Sequence, residues 1–187
     1  MYDVAIIGAG CIGALTAREL ARYRLKTVVL EAAQDVAAGA SRANSGIVHA
    51  GFDAPEGSLK AKFNVLGSEM MERVCEELGV EYKNNGSLVL AFDRAQAETL
   101  EELKARGEKN GVKRLKILTK KEVFALEPNV SRSVFAALYA PTGGIVCPFT
   151  LTIAAMGNAM DNGAELLTDF EVVRLSLIHI SEPTRPI

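Results

Sequence analysis

Residues 8–13 read Gly-Ala-Gly-Cys-Ile-Gly, a GxGxxG set between an apolar run at Val4–Ile7 and a run of helix formers that begins at Cys11. The spacing predicts strand, tight turn and helix, the helix extending to about Tyr23. Thr27–Leu30 supplies a second buried strand closing at Glu31, so residues 3–31 form one βαβ unit and imply a parallel sheet. In such a unit Gly8 permits the turn, Gly10 lets backbone approach a pyrophosphate, and Gly13 allows close packing of helix on strand. The helix N-terminus offers amide donors to phosphates, and Glu31 stands where a ribose hydroxyl would donate to it. The plainer alternative is that the glycines serve only a tight turn. Strand, glycines, helix and acid together favour a bound dinucleotide, and the pattern suits FAD and NAD alike.

Composition narrows the class further. Hydrophobic residues make up 49% of the 187 and charged residues 24%, the balance of a folded globular chain long enough for one domain or a domain plus part of a second. Twenty-one basic and 23 acidic residues give a formal charge of −2 with no basic stripe, so neither nucleic acid nor an anionic membrane is expected as a partner. Cys11, Cys75 and Cys147 are odd in number and not in a CxxC, which suits a reducing cytoplasm better than a disulfide framework or a metal site. Cys11 and Cys147 are read as small buried residues. No targeting signal and no apolar stretch of membrane-spanning length is read.

Further along, residues 37–57 are rich in Gly, Ala and Ser, and are expected to form a ligand-facing loop. Leu59–Leu78 reads as a helix with Phe63, Leu66, Met70, Val74 and Leu78 on a buried face, ended by Gly79. Lys60 and Lys62 at its start are read as solvated. Ser87–Phe92 is expected as a strand, Arg94–Asn110 as a helix, and Lys116–Leu118 as a strand. Thr119 and Glu122 form a capping box for a helix that stops before Pro128. Val134–Tyr139 and Ile145–Cys147 flank a turn at Pro141–Gly144 and suggest a hairpin. Phe149–Asn162 is expected as a helix, with strands at Glu165–Leu167 and Glu171–Val173. The last residues, Leu175-Ser-Leu-Ile-His-Ile-Ser-Glu-Pro-Thr-Arg185-Pro-Ile, resemble the in-frame translation of a transposase-type sequencing adapter. They are expected to be a non-native tail over residues 175–187, with native sequence ending near Arg174 and no functional weight on His179; a genuine C-terminal strand and tail is the alternative.

Ser41-Arg-Ala-Asn44-Ser45-Gly46-Ile-Val-His49-Ala-Gly51-Phe, followed by Gly57-Ser-Leu-Lys60-Ala-Lys62, resembles the flavin-proximal stretch of the D-amino-acid-oxidase-like (DAO) family of FAD enzymes. Within that family it is most similar to bacterial FAD-dependent glycerol-3-phosphate dehydrogenases and L-2-hydroxyglutarate oxidases. Asn85-Gly-Ser-Leu-Val and Ala140-Pro-Thr-Gly-Gly-Ile-Val-Cys-Pro148 extend the resemblance to nearly the whole native portion. It implies an α/β fold, a Rossmann-like FAD-binding domain of DAO type with an inserted mixed α+β substrate domain, incomplete at the C-terminus. The FAD domain is expected over residues 1–83 and 149–174, and a partial substrate domain over 84–148.

The resemblance also implies FAD as cofactor, held by Gly8, Gly10, Gly13 and Glu31 at the ADP half and by Ser41, Asn44, Ser45 and Gly46 along the pyrophosphate and flavin. It implies hydride transfer from a secondary alcohol carbon of a small hydroxy acid or polyol phosphate, glycerol 3-phosphate first and L-2-hydroxyglutarate as the alternative, with no particular electron acceptor named. His49 is the candidate to take the hydroxyl proton, since a neutral imidazole has a suitable pKa range; a packing or FAD-orienting role is its alternative. Two further alternatives are an NAD-dependent dehydrogenase and a catalytically inert fragment that at most binds FAD.

Overall fold

A computed structural model describes residues 1–175; the expected tail beyond Leu175, with His179, lies outside the described residues. In chain order the first half holds β1 (Val4–Ile7), α1 (Cys11–Leu20), β2 (Thr27–Leu30), a 3-10 turn at Ala40–Arg42, β3 (Ile47–Val48) and α2 (Leu59–Leu78). Next come β4 (Tyr82–Lys83), β5 (Ser87–Ala91), α3 (Arg94–Lys109), β6 (Lys116–Thr119) and α4 (Lys120–Leu126). β7 (Ala136–Ala140), β8 (Gly144–Val146), α5 (Pro148–Asp161) and β9 (Glu165–Leu167) complete the order. The chain divides into two compact units, one of residues 1–44 and 148 onward, the other of residues 45–147.

The first unit is a parallel sheet in the order β1-β2-β9. Val4 pairs with Thr27 and Ile7 with Leu30, while Val28 pairs with Glu165 and Leu30 with Leu167. Central β2 has Thr27, Val28 and Val29 buried in succession, as expected of a strand covered on both faces. α1 packs against α5, and their buried residues are Ala14 and Ala17 on α1 and Leu151, Thr152, Ala155, Met156 and Ala159 on α5. The Thr152 hydroxyl is satisfied by donating to the Pro148 carbonyl at 2.7 Å. α1 ends at Leu20, three residues before the expected Tyr23, because Arg22 and Tyr23 close a turn on Glu19 and Leu20. The strand expected at Glu171–Val173 does not form: Asp169 adopts φ +52°, and the amides of Asp169 and Phe170 donate instead to Ala33 and Glu31.

The second unit carries two antiparallel sheets, β3-β8-β4 and β5-β7-β6. β7 reads Ala-Ala-Leu-Tyr-Ala, apolar at every position because both faces of its sheet are covered. Ala136, Leu138 and Ala140 join Phe52, Leu100 and Leu115 in one cluster, whereas Ala137 joins Val123 and Val134 in another. The expected hairpin across Pro141–Gly144 is not present. β7 already has β5 and β6 on its two edges, so β8 passes on to pair with β3 and β4. The two chain segments switch sheets side by side, where Gly86, at φ +73°, donates its amide to the Gly143 carbonyl at 2.9 Å.

Capping follows the sequence closely. Ser58 and Asp93 side chains accept the Ala61 and Gln96 amides, Gly79 ends α2 at φ +64°, and Thr119 and Glu122 complete the expected capping box. The expected core face of α2, however, is overturned. Phe63 is 60% exposed, Leu66 43% and Met70 44%, and the buried residues are Ala61, Ser68 and Cys75. The buried side is chosen by close approach rather than by hydrophobic size. Val65 lies where a side chain on Gly51 would come within 2.8 Å, and Ser68 donates to the Thr142 carbonyl at 2.9 Å. The compact unit also begins at Ser45, well before the substrate-domain start expected at residue 84, because β3 is a strand of the β8 sheet and Phe52 belongs to the β7 core.

Two helix glycines have opposite surroundings, and substitution by Ala separates them. A Cβ on Gly67 meets nothing within 4 Å, whereas on Gly107 it falls 2.5 Å from Leu115 and 2.7 Å from Phe52. Gly67→Ala is expected to stabilise the unit by up to about 1 kcal/mol through helix propensity. Gly107→Ala gains the same propensity but overpacks the core at a cost of about 1–3 kcal/mol. Urea unfolding midpoints of the two variants should therefore move in opposite directions.

Candidate cofactor site

The Gly-rich turn is built by contacts that only glycine tolerates. Gly8 adopts φ +97° and its amide donates to the Leu30 carbonyl at 2.8 Å, tying the end of β1 to the end of β2. A Cβ on Gly13 would sit 2.0 Å from the Gly8 carbonyl oxygen, so α1 can lie against the strand end only with glycine there. Gly10 is the N-cap of α1 and has no capping side chain of its own. The Cys11 amide is instead satisfied from outside the helix, donating to Ser41 Oγ at 2.9 Å.

Glu31 joins the turn after β1 to the turn after β2. Its two carboxylate oxygens accept the Ala9 amide at 2.6 Å and the Ala33 amide at 2.9 Å. Ala37, buried and at φ +57°, closes the assembly by donating its amide to the Ala9 carbonyl at 3.1 Å. A carboxylate has about four lone-pair sites, so two backbone donors leave it capacity for ribose hydroxyls. Burial pushes the Cys11 thiol above its ordinary value, a nearby Thr152 hydroxyl opposing the shift. The thiol thus stays protonated at neutral pH and is a poor nucleophile.

The structure brings Gly8, Gly10, Gly13, Glu31 and Ser41 into one cluster within the first unit. Asn44 lies just beyond, its Nδ2 donating to the carbonyls of Ala40 and Ser41 and so closing the 3-10 turn that presents Ser41. Ser45, Gly46 and His49 belong to the second unit. Gly46 is buried at φ +68° and its carbonyl accepts the Val146 amide; Ser45 and His49 are exposed. Within the same unit the His49 carbonyl accepts Asn64 Nδ2 at 2.6 Å, and Asn110 Nδ2 donates to the carbonyls of Gly51 and Ala54 at 3.0 and 2.9 Å. Sequence reasoning missed Asn64 and Asn110. Their signal was an Asn inside a long helix and another beside a helix-ending glycine. Cys147, expected to be buried, is exposed; Cys75 is the fully buried one, while Lys60 and Lys62 are exposed as expected.

Glycine space, a helix N-terminus whose N-cap Gly10 supplies no capping side chain, and a hydrogen-bonded acid at the second strand end fit a dinucleotide. The sequence matches the FAD dependent oxidoreductase (DAO) family over residues 3–182, and the chain belongs to that family. This decides for FAD over the NAD that the glycine pattern alone also allowed. It is 48% identical over 173 residues to the glycerol 3-phosphate dehydrogenase of Caloramator mitchellensis, covering 92% of this chain and 36% of the relative. It is 38% identical over 149 residues to the mitochondrial L-2-hydroxyglutarate dehydrogenase of Dictyostelium discoideum, covering 78% and 33%. Among solved structures it superposes on the FAD-bound, dithionite-reduced L-alpha-glycerophosphate oxidase of Mycoplasma pneumoniae with TM-score 0.87 and 33% identity, over 92% of this chain and 46% of that one. The chain thus spans between a third and a half of the length of these relatives. Among the described residues, no helix is long and apolar enough to cross a membrane.

Gly13→Ala forces the Gly8 turn to move and is expected to destabilise the first unit by at least about 2 kcal/mol. Gly10→Ala meets only the movable Ser41 side chain, 3.1 Å from the added Cβ, and should fold almost as well as the native chain. Thermal unfolding followed by circular dichroism checks both: a Gly13→Ala melt equal to the native one would refute the close-packing account.

Proposed function

We propose that this chain carries the cofactor-binding part of an enzyme that oxidises the secondary alcohol of a small hydroxy acid or polyol phosphate, glycerol 3-phosphate being the first choice. The observation that carries the reading is the 48% identity to a glycerol 3-phosphate dehydrogenase across 92% of this chain. The Gly8–Gly13 turn and Glu31 supply the matching geometry for the ADP half. L-2-hydroxyglutarate is the second substrate, favoured by the Dictyostelium relative.

Bound FAD supplies the two-electron acceptor for the hydride leaving the alcohol carbon. In this reading the α1 N-terminus and the Gly10 backbone hold the diphosphate, Ser41 and Asn44 shape its loop, and Ser45 and Gly46 continue along the cofactor. The His49 imidazole takes the hydroxyl proton, so that the carbinol becomes a ketone as its hydride departs. Burial at Cys11 keeps a thiol out of this chemistry. We assign turnover to an enzyme with the full length of the relatives, FAD binding to the residues named here, and residence to the cytoplasm, in keeping with an odd, unclustered set of cysteines.

The test is anaerobic titration of a complete enzyme containing this sequence. Glycerol 3-phosphate should bleach its flavin absorbance, and L-2-hydroxyglutarate should do so more slowly or not at all. His49→Gln is expected to slow flavin reduction by about 10²–10⁴-fold, and Gly10→Ala to yield folded protein without flavin. Bleaching by L-2-hydroxyglutarate alone would move the assignment to the second substrate; bleaching by neither would sink the alcohol-oxidation reading.

A further inference from the structure

We propose that Asn64 is the positioning residue for His49, a role that rests on the functional reading of His49 given above. Strand pairing stops one residue short of His49: Ile47 pairs with Ile145 and Val48 with Gly144, and there β3 ends. The chain then turns at Gly51, at φ +105°, against Val65. Between strand and turn, the His49 backbone is held by Asn64 Nδ2, which donates to its carbonyl at 2.6 Å. Asn64 and Val65 are consecutive on α2, so one short stretch of helix fixes both His49 and the turn after it. One turn further along the helix, Ser68 holds the Thr142 carbonyl in the loop that leads into β8, the partner of β3.

Asn is among the weaker helix formers, and it stands in the interior of a 20-residue helix. Its bond to His49 accounts for that local cost. His49 is exposed, so water can replace the lost donor at the carbonyl, and removing the amide should change the placement of the residue more than the stability of the fold. Placement is what proton transfer depends on, since a displacement of about 1 Å can cost about 10²-fold in rate.

Asn64→Leu and Asn64→Asp remove the donor at similar volume, and Ser68→Ala, on the same helix, removes a bond that does not touch His49. The chain has two histidines, His49 and His179, so ring resonances in histidine-labelled 187-residue chain are assigned by comparison with His179→Gln. Both Asn64 variants should shift or broaden the His49 ring signals, and Ser68→Ala should leave them in place. In the complete enzyme, Asn64→Leu should slow flavin reduction about 10–100-fold with FAD content retained and KM changed less than kcat. Unmoved His49 signals in both Asn64 variants, or an equal movement in Ser68→Ala, overturn the proposal. A slow His49→Gln enzyme beside a fast Asn64→Leu enzyme overturns it alone and leaves the functional reading standing. If His49→Gln itself reduces flavin at the native rate, the functional reading falls and takes this role with it.

Discussion

The 2.0 Å that would separate a Gly13 side chain from the Gly8 carbonyl is the constraint on which the first unit turns. It sets how near α1 lies to the end of β1, and through that where the helix N-terminus points its amides. With the helix in place, β2 must end beside the turn, which it does through the Gly8 amide on Leu30 and the Glu31 carboxylate on Ala9. Ala37 and Ser41 then bring the following loop back to the same spot, one by its backbone and the other by its hydroxyl. The candidate cofactor site is thus made mostly of backbone, fixed by where side chains are missing. The chain leaves this unit after β2 and returns through α5 to lay β9 against the same strand, so residues 45–147 form an insertion between neighbouring strands.

Backbone-made sites leave a strong trace in sequence. Three glycines, two apolar strands and an acid sufficed to read β1, α1, β2 and the tight turn between strand and helix, because no other residue satisfies Gly8 and Gly13. Some caps were equally legible: Thr119 with Glu122, and Gly79, mark helix ends through local hydrogen bonds that depend on a few adjacent residues, whereas the Ser58 and Asp93 caps came only from the structure. Sheet partners were not. β7 and β8 flank a turn that looks like a hairpin, but pairing depends on strands distant in sequence, and β5 and β6 had already taken both edges of β7.

The misread face of α2 shows a different limit. Periodicity favours the large apolar residues Phe63, Leu66 and Met70, whereas the structure buries Ala61, Ser68 and Cys75, spaced by seven. A helix that must lie close to a glycine turn and a carbonyl needs a face of small side chains, and small residues contribute little to a hydrophobic pattern. Asn64 and Asn110 went unnoticed for the same reason. They act by hydrogen-bonding the backbone of a loop whose position only the tertiary structure supplies.

This division explains why family and cofactor are easier to establish than substrate. Dinucleotide binding asks for space and amides, which a turn of six residues provides in any chain that keeps its glycines. Choice between a phosphate and a second carboxylate on the substrate asks for side-chain charge at defined positions. His49, exposed in the second unit with its carbonyl held by Asn64 of α2, carries no fixed charge that would separate the two substrates. Similarity to both a glycerol 3-phosphate dehydrogenase and an L-2-hydroxyglutarate dehydrogenase is the pattern expected of a segment whose legible features are the glycine turn and the backbone bonds around it.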